Sequence, residues 1–425
     1  MFFSFFKSKY IANLNWGLSS RLFTMLVNVF VGVYVARYLS VEDFGMLNYV
    51  LSLVAIFAPI GGMGLFDIVS RELIDSPNSR DEIMGTAFVI RVIATILMIF
   101  VILISSLLVQ SDMYVIYMLS IISFGSILNV FDIIYSYDQA NMRLKYSSIS
   151  LLVGTISFAA LRLILISIDA PLHYFMYSVV FQQLVVTSLY IFFYNNSGTS
   201  ISCWRFNHSK AIQLFRDAYP LLLTGLVAIA CLRIDQIMIH HMLGVRELGL
   251  YSIAFRLSEF WYHIPSIVFV AFLPAIQSNR GTKGLYYKRW QAILFWLVVF
   301  SIFIALSTGI AGKQIISFLY GEKYIESYMV LNVYIWNLVF VSINMVSNKW
   351  LVMENYGNIV LLKSIAGFVL NVLLNYLLIL KMGLVGAAFA SLLTIIFLSF
   401  GFDLFLIRKK VFRDFLLLKF FVKIY

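Results

Sequence analysis

The chain has 425 residues, of which 62% are hydrophobic and 12% charged, and its mean hydropathy is +0.92. These values exclude a soluble globular protein and imply a multi-pass membrane protein built of helices, because the apolar runs are too long for barrel strands. A net charge of +11 raises nucleic acid as a partner, while two cysteines, Cys203 in a polar loop and Cys231 inside a span, give no disulfide framework or metal site.

In chain order, Met1 to Lys9 is a basic, aromatic interfacial segment. The apolar run after it is too long for a signal-peptide core, contains Arg21 and lacks a small-residue cleavage site, so it reads as a retained first span, about 11–37. Five more spans follow at about 44–68, 83–109, 113–137, 146–168 and 172–194. The second contains Ala58-Pro-Ile-Gly-Gly-Met-Gly64, a helix-loosening stretch tolerated only against protein or a wet cavity. Arg91 lies inside the third span, Asp132 near the end of the fourth and Arg162 inside the fifth. The polar interval 195–217 separates the halves. Spans at about 218–243, 249–276, 289–311, 328–352, 357–380 and 383–407 make up the second half. The last opens with Gly383-Leu-Val-Gly-Ala-Ala388, small residues that allow close helix approach. The expected organisation is an all-α integral membrane protein of about twelve spans. It comprises a six-helix lobe over 1–198, a cytoplasmic linker over 199–217, a second six-helix lobe over 218–407 and a basic amphipathic tail over 408–425. The tail carries six basic residues among Phe and Leu, a pattern suited to an anionic leaflet.

The halves repeat one another. Leu39-Ser-Val-Glu-Asp-Phe-Gly45 aligns with Leu243-Gly-Val-Arg-Glu-Leu-Gly249 at an offset of 204 residues, and each turn is followed by a helix with a mid-span proline, Pro59 or Pro265. Such internal duplication marks many transporter folds. Basic residues orient the chain: with both termini cytoplasmic, 21 of the 31 fall on the inner side, 5 on the outer side and 5 within spans. The basic excess is therefore a positive-inside signal and not a nucleic-acid footprint.

No phosphate loop, HExxH helix, paired-cysteine site or nucleophile elbow occurs, so neither catalysis nor a cofactor nor a metal is expected. His240-His241 reads as interfacial, and His263 beside Trp261 and Tyr262 as a packing or lipid contact before a sugar contact. The informative residues are the charges inside spans. Asp235 and Glu259 flank the second turn at about 14 Å depth, at ~1.5 Å per residue. They form either a structural ion pair with Arg233 or Arg256, or part of a transport path. Arg233 and Asp235, two apart, cannot share a helix face. Arg21, Arg91, Arg162, Arg233 and Arg256 outnumber Asp132, Asp235 and Glu259 at comparable depth. A cavity lined with this surplus welcomes an anion, and the planar fork of arginine suits pyrophosphate.

Several of these stretches carry a family likeness. Ala36-Arg-Tyr-Leu-Ser-Val-Glu-Asp-Phe-Gly-Met-Leu-Asn-Tyr49 and Gly62-Met-Gly-Leu-Phe-Asp-Ile-Val-Ser-Arg-Glu-Leu73 resemble the first signature of bacterial polysaccharide flippases of the Wzx type. Arg233-Ile-Asp-Gln-Ile-Met238, Met242-Leu-Gly244, Gly249-Leu-Tyr-Ser252 and Arg256-Leu-Ser-Glu-Phe-Trp261 resemble the second, and Gly383 to Ala388 the signature opening the last span. The resemblance implies the multidrug/oligosaccharidyl-lipid/polysaccharide exporter fold, with two six-helix lobes around a central cavity. It further implies translocation of undecaprenyl-diphosphate-linked repeat units of O-antigen, capsule or exopolysaccharide to the outer leaflet of the bacterial cytoplasmic (inner) membrane. A polysaccharide polymerase and a chain-length regulator are the protein partners it suggests. Lipid II flippases of that superfamily usually carry two further helices, for which this sequence shows no spans. On this reading Arg21, Arg91, Arg233 and Arg256 bind the diphosphate or an anionic glycan, while Asp235 and Glu259 couple a proton or sodium ion or pair structurally. The alternatives are a cation-coupled multidrug exporter of the same fold and a membrane-embedded polysaccharide polymerase or ligase.

Overall fold

The computed structural model describes residues 2–109, 112–277, 283–354 and 356–401. The expected tail over 408–425, and the end of the expected last span over 402–407, lie outside the described residues. Among the described residues there is no strand. Ten helical stretches there are long and apolar enough to cross a membrane. The stretch 357–401 reverses direction at Gly383 and so supplies two limbs, and α10 (Val245–Gln277) occupies the position of the expected eighth span.

By packing, the chain forms two compact units, residues 1–233 and 234–425. The first contains α1 (Phe2–Tyr38), α2 (Val41–Gly62), α3 (Leu65–Asp75), α4 (Arg80–Val109), α5 (Met113–Gly125), α6 (Ile133–Ala140), α7 (Leu144–Ser167) and α8 (Leu172–Asn195). It also takes most of α9 (His208–Met242), within which the division falls. The second unit holds the rest of α9, then α10, α11 (Lys283–Tyr320), α12 (Ser327–Tyr334), α13 (Asn337–Met353) and α14 (Gly357–Ile396).

The duplicated turn is a helix corner. Ser40 caps α2: its Oγ accepts from the Asp43 backbone N–H at 2.9 Å and donates to the Asp43 carboxylate at 2.8 Å. Leu39, Val41 and Phe44 are buried around that cap. In the second copy Gly244 takes φ +109°, a left-handed value that glycine adopts without strain, and Leu248 and Leu250 are buried.

Three interruptions shape the bundles. The Ala58–Gly64 stretch ends α2 at Gly62, with Met63 and Gly64 both left-handed before α3 begins. A side chain at Gly64 would meet the backbone of α9 within 3 Å, at Leu222 N and Ala218 O. The fourth span is overwound between α5 and α6: Ser126–Asp132 is a seven-residue 3-10 segment, longer than such runs usually persist. Thr187 on α8 donates to the Leu128 carbonyl at 3.0 Å, which satisfies one backbone group there. The tenth span breaks between Tyr334 and Asn337.

Lipid tails are as apolar as leucine, so helices associate here through close packing and polar contacts. Ser20 donates to Ser148 at 3.1 Å, and Thr24 and Thr155 share a 3.2 Å bond, which joins α1 to α7. At Gly154 a Cβ would clash with the Val186 side chain, so α7 and α8 approach closely. Arg162 belongs to this packing too: it is buried, donates Nε to Ser178 at 3.0 Å and lies 4.2 Å over the Phe158 ring. The polar interval before α9 is strapped to the first unit. Trp204 packs on Phe88 and Tyr194, Asn207 N–H donates to Thr86, and Lys210 Nζ sits 2.5 Å from Glu72.

Candidate functional site

In the first unit, Arg21 sits mid-way along α1, 19 residues after Phe2 and 17 before Tyr38. Its side chain is exposed, and Nη2 donates to the Tyr135 phenol at 3.2 Å. Tyr135 stands one helical turn beyond Asp132, at the end of the overwound segment. The Asp132 carboxylate is 45% exposed and lies 3.9 Å from Arg91 Nη2, whereas Arg91 is only 11% exposed. Asp132 is eight residues from Ala140, about 12 Å at ~1.5 Å per residue, so it lies well inside the span. A carboxylate and a guanidinium exposed at such depth face water and not lipid, because the hydrocarbon penalty for either is several kcal/mol. Arg21, Tyr135 and Asp132 therefore define a wet face on the first unit. Arg91 lies behind it: its guanidinium is buried against Asp132, and among the described residues its Nε has no hydrogen-bond partner.

The second unit arranges its charge in the opposite way. Asp235 is 2% exposed. The Tyr251 hydroxyl donates to its Oδ2, and Ser391 Oγ approaches the same oxygen at 3.5 Å. Tyr251 packs edge-on against Tyr334, with centroids 5.7 Å apart, at the end of α12 where the tenth span breaks. The polar chain continues along α14: Asn371 Nδ2 reaches Thr394 Oγ1 at 3.5 Å, and Asn375 Nδ2 donates to Asn371 Oδ1 at 3.1 Å. Ser391 and Thr394, three apart on the returning limb, join the two groups.

Arg233, two residues before Asp235, is only half-buried. Arg256 and Glu259 are likewise half-buried and share one face of α10, with the exposed His263 one turn on. The structure thus separates the residues singled out from the sequence. Arg21 is wet, Arg91 screened, Asp235 enclosed, and Arg233, Arg256 and Glu259 are intermediate. Tyr135, Tyr251 and Ser391 escape a reading of the sequence, because a lone hydroxyl in an apolar run carries no periodic signal. Asn371 and Asn375 do carry one, being spaced by four within a span.

Among the described residues no cluster of three or more histidine, cysteine or acidic side chains is placed to hold a metal ion.

Against known proteins, residues 34–329 match the model of a family described as polysaccharide biosynthesis protein. The capsular polysaccharide biosynthesis protein CapF of Staphylococcus aureus is 24% identical over 388 residues, covering 89% of this chain and 94% of CapF. Among solved structures, an inward-facing multidrug resistance MATE transporter of the MOP superfamily superposes with a TM-score of 0.74 at 13% identity, covering 94% of this chain and 96% of that one. The lipid II flippase MurJ in an inward closed conformation gives 0.70 at 16% identity, with coverage of 95% and 90%. These structural likenesses establish the fold, that of the MOP transporters. The family match spans well over half of the chain, which therefore belongs to the polysaccharide biosynthesis protein family.

Proposed function

We propose that this protein is a flippase that carries undecaprenyl-diphosphate-linked oligosaccharide repeat units from the cytoplasmic to the outer leaflet by alternating access. On this reading it lies in the bacterial cytoplasmic membrane with both termini in the cytoplasm. The observation that carries the proposal is the wet face of the first unit, where Arg21 is exposed in mid-helix and tied to Tyr135. A diphosphate has the charge and the oxygens to bind that guanidinium bidentately. Arg91 lends its positive field from behind Asp132 and engages the anion directly only if Asp132 moves aside. Arg233, at the end of the first unit, and Arg256 on α10 of the second supply further cations. The undecaprenyl tail stays in lipid, since an apolar chain gains nothing by entering a wet site.

Asp235 holds the coupling cation, a proton or sodium ion, within the second unit, with Glu259 as the nearer surface carboxylate. Family membership and the capsular role in the name of the Staphylococcus aureus relative support a surface polysaccharide as the product. An arginine-led wet face argues against a pump for organic cations, which would be repelled by it.

The test is surface polysaccharide in a deletion strain complemented with Arg21 variants, with membrane abundance checked by immunoblot. Arg21→Glu should abolish polysaccharide export and leave lipid-linked single repeat units on the cytoplasmic face. Arg21→Lys keeps the charge but loses the fork and should export partially. Full export by Arg21→Glu at normal abundance would remove the role given to this residue, and accumulation of repeat units on the outer face would point to a polymerase.

A further inference from the structure

A column of buried groups runs down α14 of the second unit. Lys363, Gly367, Asn371 and Asn375 recur every four residues and so share one helix face. All four are buried, Lys363 at 1% exposure and Asn375 at 0%. Beyond the reversal at Gly383 the returning limb lays Ser391, Thr394 and Leu398 along this face. The hydrogen bonds from Asn375 to Asn371 to Thr394, and from Ser391 to Asp235, make the upper part of the column polar throughout.

The column stops at Gly367. That glycine leaves a notch in α14, and Leu398 fills it: an added Cβ would lie 2.6 Å from a Leu398 methyl. Leu398 belongs to a π-helical turn, Phe397–Gly401, a rare geometry that recurs at functional sites. Ser399 Oγ donates to the Phe340 carbonyl at 2.9 Å, and the Phe340 and Phe400 rings meet at 6.2 Å, so the turn is fastened to α13. Lys363 lies one helical turn beyond the plug, towards the Gly357 end of α14.

We propose that Leu398, seated on Gly367, is an internal seal that lets the column hold a monovalent cation at Asp235 without conducting it to the Lys363 end. The inference rests on the reading of Asp235 as the coupling carboxylate. A carboxylate with the Tyr251 and Ser391 hydroxyls at its oxygen, and the Asn371 and Asn375 amides further along the column, suits a monovalent ion over a divalent one, which gathers several charged ligands. A polar column crossing the whole unit would let that ion slip without moving substrate. An isobutyl group in the notch removes the oxygens and the water a cation needs, a hydrophobic constriction of the kind that gates by dewetting.

The experiment uses the full chain in proteoliposomes without lipid-linked substrate, measuring radioactive sodium uptake and, separately, proton influx with an entrapped pH dye. Leu398→Ser should raise one of these leaks roughly tenfold, as expected for wetting a hydrophobic constriction. Leu398→Met, which keeps the volume, should not, nor should Leu393→Ser on the exposed side of the same limb. Adding Asp235→Asn to Leu398→Ser should return the leak to baseline. A monodisperse Leu398→Ser protein that leaks neither ion overturns the seal, as does a leak that survives Asp235→Asn. If Asp235→Asn alone leaves ion-driven flipping intact, the coupling role itself fails. If it abolishes flipping while Leu398→Ser stays tight, only the seal fails.

Discussion

The two units share a corner but not a site. At the offset set by the repeated turn, Arg21 of the first half corresponds to Gly225, and Asp235 of the second corresponds to Val31. Val31 is 5% exposed inside its bundle, and Asp235 is enclosed at 2%. Each half has therefore placed charge where the other keeps an uncharged residue. The first unit exposes its cation on a wet face, while the second wraps its anion in hydroxyls. The same helix scaffold supports both arrangements because spans and corners depend on apolar residues and caps, whereas single polar substitutions decide where a half carries charge. A tyrosine attends the charge in each unit, Tyr135 for Arg21 and Tyr251 for Asp235. Their burial differs, and so should the consequences of removing them.

The largest effect is expected at Asp235. Asp235→Asn preserves an acceptor for Tyr251 but removes the charge, so the protein should accumulate normally and lose ion-driven flipping by two orders of magnitude or more, on the order of 3 kcal/mol of coupling. Asp235→Ala also strands the Tyr251 hydroxyl in the core at about 1–3 kcal/mol, and should lower the thermal midpoint in detergent as well. If Asp235→Asn flips at the wild-type rate under every ion gradient, the enclosed carboxylate is structural and the contrast between the units loses its functional meaning.

The Arg91–Asp132 pair should give a smaller effect and tests how the wet face is built. Arg91 is 11% exposed and Asp132 45%, so deleting the acid leaves a poorly solvated internal cation, whereas deleting the arginine leaves a carboxylate that water can reach. Asp132→Asn should therefore cost more stability than Arg91→Met, by roughly 1–2 kcal/mol, and the double variant should recover part of the loss. Additive losses in thermal unfolding would show that the 3.9 Å approach carries no coupling. Asp132→Asn should also tighten binding of undecaprenyl diphosphate, because the competing anion in front of Arg91 is gone.

Much of the scaffold is legible in the sequence because hydrophobicity acts locally. The repeated corner announces the duplication, whereas the cap that Ser40 makes with Asp43 emerges only in the structure. The Gly383–Ala388 motif is read correctly as close helix approach, but its geometry emerges only in the backbone. Gly383 takes φ +59°, and a Cβ at Gly386 would overlap the Leu378 carbonyl. The overwound Ser126–Asp132 segment is invisible beforehand, since it contains neither proline nor glycine and answers to its neighbours α4 and α8. The site is less legible still. Arg21 and Arg91 look equivalent by depth, and only the fold shows that one faces water while the other stands behind an acid. Depth along a span follows from counting residues, but facing depends on tertiary packing.

The smallest single effect is expected at Tyr135, and it shows best beside the loss at Tyr251. Tyr251→Phe removes the hydroxyl that donates to a fully enclosed carboxylate, where no water can take its place, so transport should fall by more than tenfold, about 1.5–3 kcal/mol for a hydrogen bond to a charged group. Tyr135→Phe removes an acceptor from an exposed guanidinium that water can replace, at a cost of under about 1 kcal/mol, so flipping should fall less than about fivefold. The decisive comparison is in an Arg21→Lys background, where a lysine has lost the planar geometry that the phenol orients. There Tyr135→Phe should have no further effect on initial rates in proteoliposomes, whereas Tyr251→Phe should retain its full penalty. Equal losses from the two phenylalanine variants, or an undiminished Tyr135→Phe effect in the Arg21→Lys background, would mean that the first unit holds its charge as tightly as the second does.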